Sequence, residues 1–263
     1  MHRTQTVAAL AGAFITMAAC HPSHPIQQPA PAASPASEQS TSATSTDATN
    51  TMTAMNTLTD AQRAEGWRLL FDGRTTDGWR GYRSQTVPSG WTVVNGVLTK
   101  TGTTDDLITK DTFGDFELDL DWKISEGGNA GIFYRGTEEY DHIYWSAPEY
   151  QLLDDAHHPD GRKRITSAGS DYALYPSPAG IVKPAGEWNS TRIIVQGAHV
   201  EHWMNGQKLL EYELWSPDWE ARVKASKFAA WPHYGRAKVG VIGIQGDHDG
   251  TLEIRNVRIK ELP

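Results

Sequence analysis

The segment FGDFELDLDWKISEGG constrains the fold more than any other part of the chain. Phe116, Leu118, Leu120, Trp122 and Ile124 fall on one side of an extended backbone, and Asp115, Glu117, Asp119, Asp121 and Lys123 on the other, because side chains alternate between faces along a strand. This is a half-buried strand with one wet face, and the acidic row reads as solvated rather than metal-binding. GWTVVNGVLTK and VEHWMNGQKLLEYE carry Asn95-Gly96 and Asn205-Gly206 between strand-like runs. Both residue types tolerate the positive φ of a type I′ turn, so each pair predicts a tight hairpin. TRIIVQG, AKVGVIGIQG and TLEIRNVRIKEL add strands. In the last, the apolar parity slips between Leu252/Ile254 and Val257/Ile259, which predicts a bulge near Arg255 and Asn256. Helical signals are confined to Thr59–Trp67, capped by Thr59 or Asp60, and to Ser216–Phe228. The expected fold is all-β: an antiparallel two-sheet jelly-roll sandwich with one or two short helices.

The N-terminal end reads differently. Arg3 precedes an apolar run from Val7 to Ala19 that is too short to span a bilayer, and the chain then meets Cys20, its single cysteine. Residues 1–19 therefore read as a secretory signal peptide. MAAC resembles the lipobox of bacterial lipoproteins, with Met17 where leucine is usual, which implies lipidation of Cys20, a lipid anchor in a membrane and a place in the bacterial cell envelope. His21, rather than Asp, after that cysteine favours the outer membrane, facing the periplasm or the cell surface. Residues 20–56 are rich in Pro, Ala, Ser and Thr and lack aromatics, so they cannot bury enough apolar surface to offset their ordering entropy. They form a tether, leaving 57–263 as one folded domain that holds all ten tryptophans. The net charge of −8, without a basic stripe, excludes nucleic acid as a partner. Tryptophans among Gly and Asn turns suit carbohydrate, although most indoles belong to cores.

Four segments gather groups able to bind or react. EGGNAGIFYRG places Asn129 in a Gly-rich turn, then Phe133 and Arg135 on one face and Ile132 and Tyr134 on the other. PEYQLLDDAHHPDG puts Glu149, Gln151 and Leu153 on one face of a strand and Tyr150, Leu152 and Asp154 on the other. KPAGEWN offers Glu187, Trp188 and Asn189, and GIQGDHDG offers Gln245, Asp247, His248 and Asp249. A Glu–x–Gln pair on a sheet suits a polyhydroxylated ligand, whose hydroxyls need directional partners. His157 and His158 are adjacent and would face opposite ways on a strand, so they do not share a metal. Pro159-Asp160-Gly161 is a turn signature. PEYQLLDD is thus expected to form a site wall and AHHPDG the turn beyond it. No zinc-protease, serine-hydrolase or phosphate-loop motif is present.

In their order, WRLLFDGRTTDGWRGY, NAGIFYRG, PEYQLLDDAHHPDG, AGSDYALYP, KPAGEWNSTRIIVQGAHVEHWMNGQKLLEYE, SKF and RNVRIKEL resemble the 3-keto-disaccharide hydrolase family from about Gly66 to Pro263. The resemblance implies a concanavalin A-like jelly roll acting on an oxidised saccharide, a glycoside whose sugar carries a ketone at C3. Such a ketone acidifies the C2 proton, so a base can remove it and the C1 substituent can leave by β-elimination before water adds back. On this reading Glu149 is the base or a metal ligand, His248 its acid/base counterpart, and Asp154 either orients a partner or only terminates its strand. Arg135, Gln151 and Gln245 hold sugar hydroxyls or stabilise the oxyanion, Asn129 and Tyr134 hold substrate, and Trp145 or Trp188 stacks on the ring. The chemistry needs a donor or a metal for the developing oxyanion and an acid for the leaving oxygen, and no cofactor is certain. A divalent metal on Glu149 and His248 stays open, since no spacing demonstrates one. The family reads Gln-Asp-His-Gly where this chain has QGDHDG, and the extra Gly246 threatens the placement of His248. A non-catalytic, lectin-like module and a conventional two-carboxylate glycosidase remain the alternatives.

Overall fold

The computed structural model describes residues 55–263. The signal peptide, Cys20 and the tether up to residue 54 lie outside them. Asn56, placed in the tether by composition, belongs to the fold. It exchanges backbone-to-side-chain hydrogen bonds of 2.7 Å with Asn256 in both directions, and its amide donates to Gly96 O at 2.8 Å.

Thirteen strands form among the described residues: Arg68–Leu69 (β1), Trp79–Gly81 (β2), Trp91–Val94 (β3), Val97–Thr101 (β4), Leu107–Thr109 (β5), Phe116–Ile124 (β6), Asn129–Gly136 (β7), Glu149–Leu153 (β8), Asn189–Gln196 (β9), His199–Met204 (β10), Gln207–Glu213 (β11), Val241–Ile244 (β12) and Thr251–Glu261 (β13). They make two antiparallel sheets. One has eight strands, in the order β11-β10-β9-β6-β13-β4-β3 with β1 beside β13; the other has five, in the order β2-β5-β12-β7-β8. Both Asn-Gly hairpins form, with φ of 50° and 82° at Asn95 and Gly96 and 51° and 80° at Asn205 and Gly206. The β13 bulge falls where the parity slips: register shifts between Arg255 and Arg258, with Asn256 at φ 57°. The helices are Asp60–Ala64 (α1), closed by a capping box from Thr59, and Pro217–Ala225 (α2), capped by Ser216.

The core lies between the sheets, around Trp79, Trp122, Leu118, Ile132, Tyr150, Leu152 and Ile254. It also carries polar links. Tyr212 and Tyr134 share a hydroxyl contact of 2.5 Å, Tyr134 meets His202 Nε2 at 3.0 Å, and His202 Nδ1 lies 3.0 Å from Gly169 O. Burial holds the His202 imidazole neutral, with its pKa pushed down to about 4. The acidic row of β6 is not a solvated face. Glu117 and Asp119 are buried because β9 and β13 set basic residues beside them. Asp119 binds Arg192 at 2.7 and 2.9 Å and Arg258 at 2.8 Å; Glu117 binds Arg192 at 3.0 Å and Lys260 at 2.5 Å.

Candidate active site

The outward side of the five-stranded sheet carries the chemistry. On β8, Tyr150 and Leu152 point into the core, so alternation turns Glu149 and Gln151 outward. A cavity of about 210 Å³ forms over them, lined by Asn129, Tyr144, Glu149, Gln151, Asp160, Tyr172, Lys227, Gln245, Asp247 and His248. The remote segments reach it for separate reasons. Asn129 opens β7, and Gln245 follows β12 directly. Tyr144 sits in a one-turn helix ahead of β8, and Tyr172 in the segment whose amide bonds Glu149 O at 3.0 Å.

Glu149 owes its position to a missing side chain on the neighbouring strand. A Cβ at Gly131 would stand 2.2 Å from Glu149 Oε1, so only glycine lets the carboxyl lie across β7. Gln151 is held by its amide, which donates to Asn129 Oδ1 at 2.9 Å. That contact leaves Gln151 Oε1 buried without a hydrogen-bond partner among the described residues, as are Gln245 Oε1 and Asp247 Oδ1. Glu149 has no side-chain hydrogen bond or ion pair among the described residues, and its burial raises the carboxyl pKa to about 8. The Lys227 ammonium counteracts part of that rise, while Asp247, Asp106 and Asp171 add to it. Lys227 itself lies over the Tyr172 ring at 4.3 Å and has no hydrogen-bond or ion-pair partner among the described residues. The cavity is therefore rich in unfilled acceptors beside one unpaired cation.

Gly246 does not disrupt the loop bearing His248; it anchors it. A Cβ there would stand 2.5 Å from Asp105 O, and this close approach lets Gly246 N donate to Asp106 Oδ1 at 2.8 Å and Gly246 O accept from Thr104 N at 2.9 Å. Lys100, 1% exposed, caps the same loop from beneath, donating to the carbonyls of Gly246 and His248. His248 thus reaches the cavity, its imidazole 3.7 Å from Asp247. Burial pushes its pKa down, with Asp247 opposing and Lys100 assisting.

Of the ten residues given roles, Asn129, Glu149, Gln151, Gln245 and His248 come together and the other five do not line the cavity; Asp247, offered without a role, lines it too. Arg135 adopts φ 52° where the register of β7 on β12 shifts, which ends the alternation and turns its guanidinium away. It binds Gly114 O at 2.9 Å, Gly197 O at 2.8 Å and Asp115 at 2.8 Å. Tyr134 spends its hydroxyl on His202 and Tyr212 inside the core. Asp154 accepts from Gly127 N at 2.8 Å and meets His157 Nδ1 at 2.7 Å, closing the strand. Trp188 lies under Arg255, whose guanidinium is 4.0 Å from the ring. Trp145 stacks on Trp231 outside the lining, with centroids 4.0 Å apart.

Sequence reasoning missed Lys227, Tyr172, Asp160 and Tyr144. The turn AHHPDG folds back as a short 3-10 helix, Pro159–Arg162, and sets Asp160 within 3.0 Å of the Tyr172 hydroxyl. SKF and AGSDYALYP stood out as segments without assigned roles. Nothing local marks their Lys and Tyr, because the convergence is tertiary. As for a metal, no three acidic or histidine side chains of the cavity bring ligand atoms within 4.8 Å of one another. Among the described residues only His199, Glu201 and Glu211, on the β10–β11 hairpin, do so. No metal cage is preformed around Glu149 and His248, and Lys227 supplies the positive charge beside the carboxylate.

Comparison with known proteins agrees with this architecture. Residues 66–260 match the family model of the 3-keto-alpha-glucoside-1,2-lyase-like domain. A protein of Bacteroides thetaiotaomicron named 3-keto-disaccharide hydrolase is 36% identical over 240 residues, covering 79% of this chain and 82% of that protein. Among solved structures, a candidate glycosyl hydrolase from Parabacteroides distasonis superposes with TM-score 0.75 at 35% identity, over 80% of this chain and 100% of its own. A second candidate glycosyl hydrolase from that organism gives 0.58 at 28%, over 74% of this chain and 99% of its own.

Proposed function

The chain belongs to the 3-keto-alpha-glucoside-1,2-lyase-like family, and from that premise we propose that it cleaves the glycosidic bond of sugars carrying a ketone at C3. The observation that carries this reading is the set of acceptors in the cavity that receive no hydrogen bond among the described residues, Gln151 Oε1, Gln245 Oε1 and Asp247 Oδ1, next to the Glu149 carboxyl. Buried acceptors without donors are costly, and the hydroxyls of a pyranose ring supply O–H donors in the number required. A ketone in place of one hydroxyl turns a single position from donor to acceptor, and Lys227 is the unpaired donor available to it.

In the reaction we infer, Glu149 takes the proton from C2. The electron pair left behind forms the C1–C2 double bond as the C1–O bond breaks, and transient negative charge on the ketone oxygen falls to Lys227. The departing oxygen leaves with a proton. Water then adds across the double bond, its oxygen to C1 and a hydrogen to C2, releasing the free 3-keto sugar. His248 is the acid/base partner for the departing oxygen and the entering water. A carboxyl raised to about 8 by burial is a stronger base than an exposed one, and it must be ionised to act. Activity should therefore rise with pH through about 8.

The test compares a 3-keto-glucoside with its unoxidised parent, with and without EDTA, in wild type and Glu149→Gln. Turnover of the keto sugar alone, with kcat lowered about 10²–10⁴-fold in the variant and binding retained, supports the reading. Equal turnover of the parent sugar would make the protein a conventional glycosidase. Sugar binding without turnover would leave a lectin-like module. We propose in addition that the domain is held in the bacterial envelope by lipid at Cys20; Cys20→Ser should then release it from the membrane fraction and abolish labelling by radioactive fatty acid.

A further inference from the structure

A cavity of about 210 Å³ takes one pyranose ring, so the second ring of a disaccharide must sit outside it. Tyr144 joins this cavity to an aromatic surface. Its ring stacks on His142 at 4.8 Å and meets the edge of Trp145 at 5.7 Å; Trp145 in turn lies flat against Trp231, with 12° between the rings. These four rings are only half-buried, whereas Trp79, Trp122 and Trp219 are fully buried. Trp231 and Tyr144 pack against the core on one side, yet all four rings keep part of their surface outside it. Clustered aromatic surface beside a polar cavity marks a binding face, and indole rings pack against the apolar C–H faces of sugars while leaving hydroxyls in water.

We propose that Tyr144, Trp145 and Trp231 form the subsite for the leaving group, and that its ligand is the second sugar ring. Trp145 then does stack on a sugar, but on the ring that departs rather than on the ring that reacts. Selectivity between a disaccharide and a simple glycoside comes from this surface and not from the cavity. The inference rests on the proposed reaction, since only a glycoside presents a leaving group there.

The experiment measures kcat/KM for a 3-keto-disaccharide and for the methyl glycoside of the same 3-keto ring, in wild type, Trp231→Ala and Trp231→Phe. Trp231→Ala should lower the ratio of disaccharide to methyl glycoside about tenfold, mainly through KM, and Trp231→Phe should restore much of it. An equal loss on both substrates, or none on either, overturns the subsite, because a purely structural Trp231 cannot tell leaving groups apart. Inactivity of wild type on both substrates sinks the reaction itself. The subsite is then read by tryptophan fluorescence during titration with the unoxidised disaccharide. Quenching in wild type that is weaker in Trp231→Phe supports the aromatic platform; identical curves overturn it.

Discussion

The two outward faces of this sandwich both carry charge, yet they differ in one respect. On the eight-stranded sheet, Glu117, Asp119, Asp121 and Glu253 each meet a basic partner: Arg192, Arg258 and Lys260, Arg255, or Lys123. On the five-stranded sheet, Glu149 and Lys227 face the same cavity without hydrogen-bond or ion-pair partners among the described residues, beside three acceptor oxygens that receive no hydrogen bond among them, of which Asp247 Oδ1 has the His248 imidazole at 3.7 Å. Size does not separate the two faces. A groove of about 390 Å³ lies over Asp119, Arg192 and Trp203, larger than the cavity at Glu149. Satisfaction does. A paired ladder has completed its hydrogen bonds within the fold, whereas an acceptor that the fold leaves unpaired takes its donor from water or from a ligand.

The contrast breaks most sharply at Lys227. Lys227→Met should lower kcat/KM about 10²–10³-fold by removing the charge that meets the developing oxyanion. It should also move the rising limb of the pH profile above about 8, because Lys227 now lowers the Glu149 pKa. Kinetics across pH 6–10 read both effects, and an unmoved limb would detach Lys227 from Glu149. Gly131→Ala comes next. The added methyl displaces the carboxyl, with an expected loss of about tenfold or more in kcat and little change in thermal midpoint, measured by parallel assay and calorimetry. Asp119→Asn should do the reverse: activity within about twofold of wild type, with about 1–3 kcal/mol lost in chemical denaturation from a half-buried ion-pair network. A large catalytic loss there would mean that the paired face also acts on substrate.

Part of this was legible in the chain. Period-two alternation in β6 and the two Asn-Gly turns determine hairpins and faces locally, since each depends on neighbouring residues and on backbone sterics alone. The same rule set Glu149 and Gln151 on one side of β8. It failed at Arg135, where a positive φ interrupts the alternation, and at Glu117 and Asp119, whose partners come from β9 and β13 far along the chain.

Strand periodicity, turn chemistry and the candidate base on β8 were thus determined by the sequence itself. The tertiary structure alone decided which charges are neutralised and which are left for a ligand. Lys227, Asp160, Tyr144 and His248 become neighbours of Glu149 only after the sheets have packed, and Lys100 fixes the His248 loop only once it is buried. Pairing of charges depends on distance through space and on exclusion of water. Neither quantity is written in residue order.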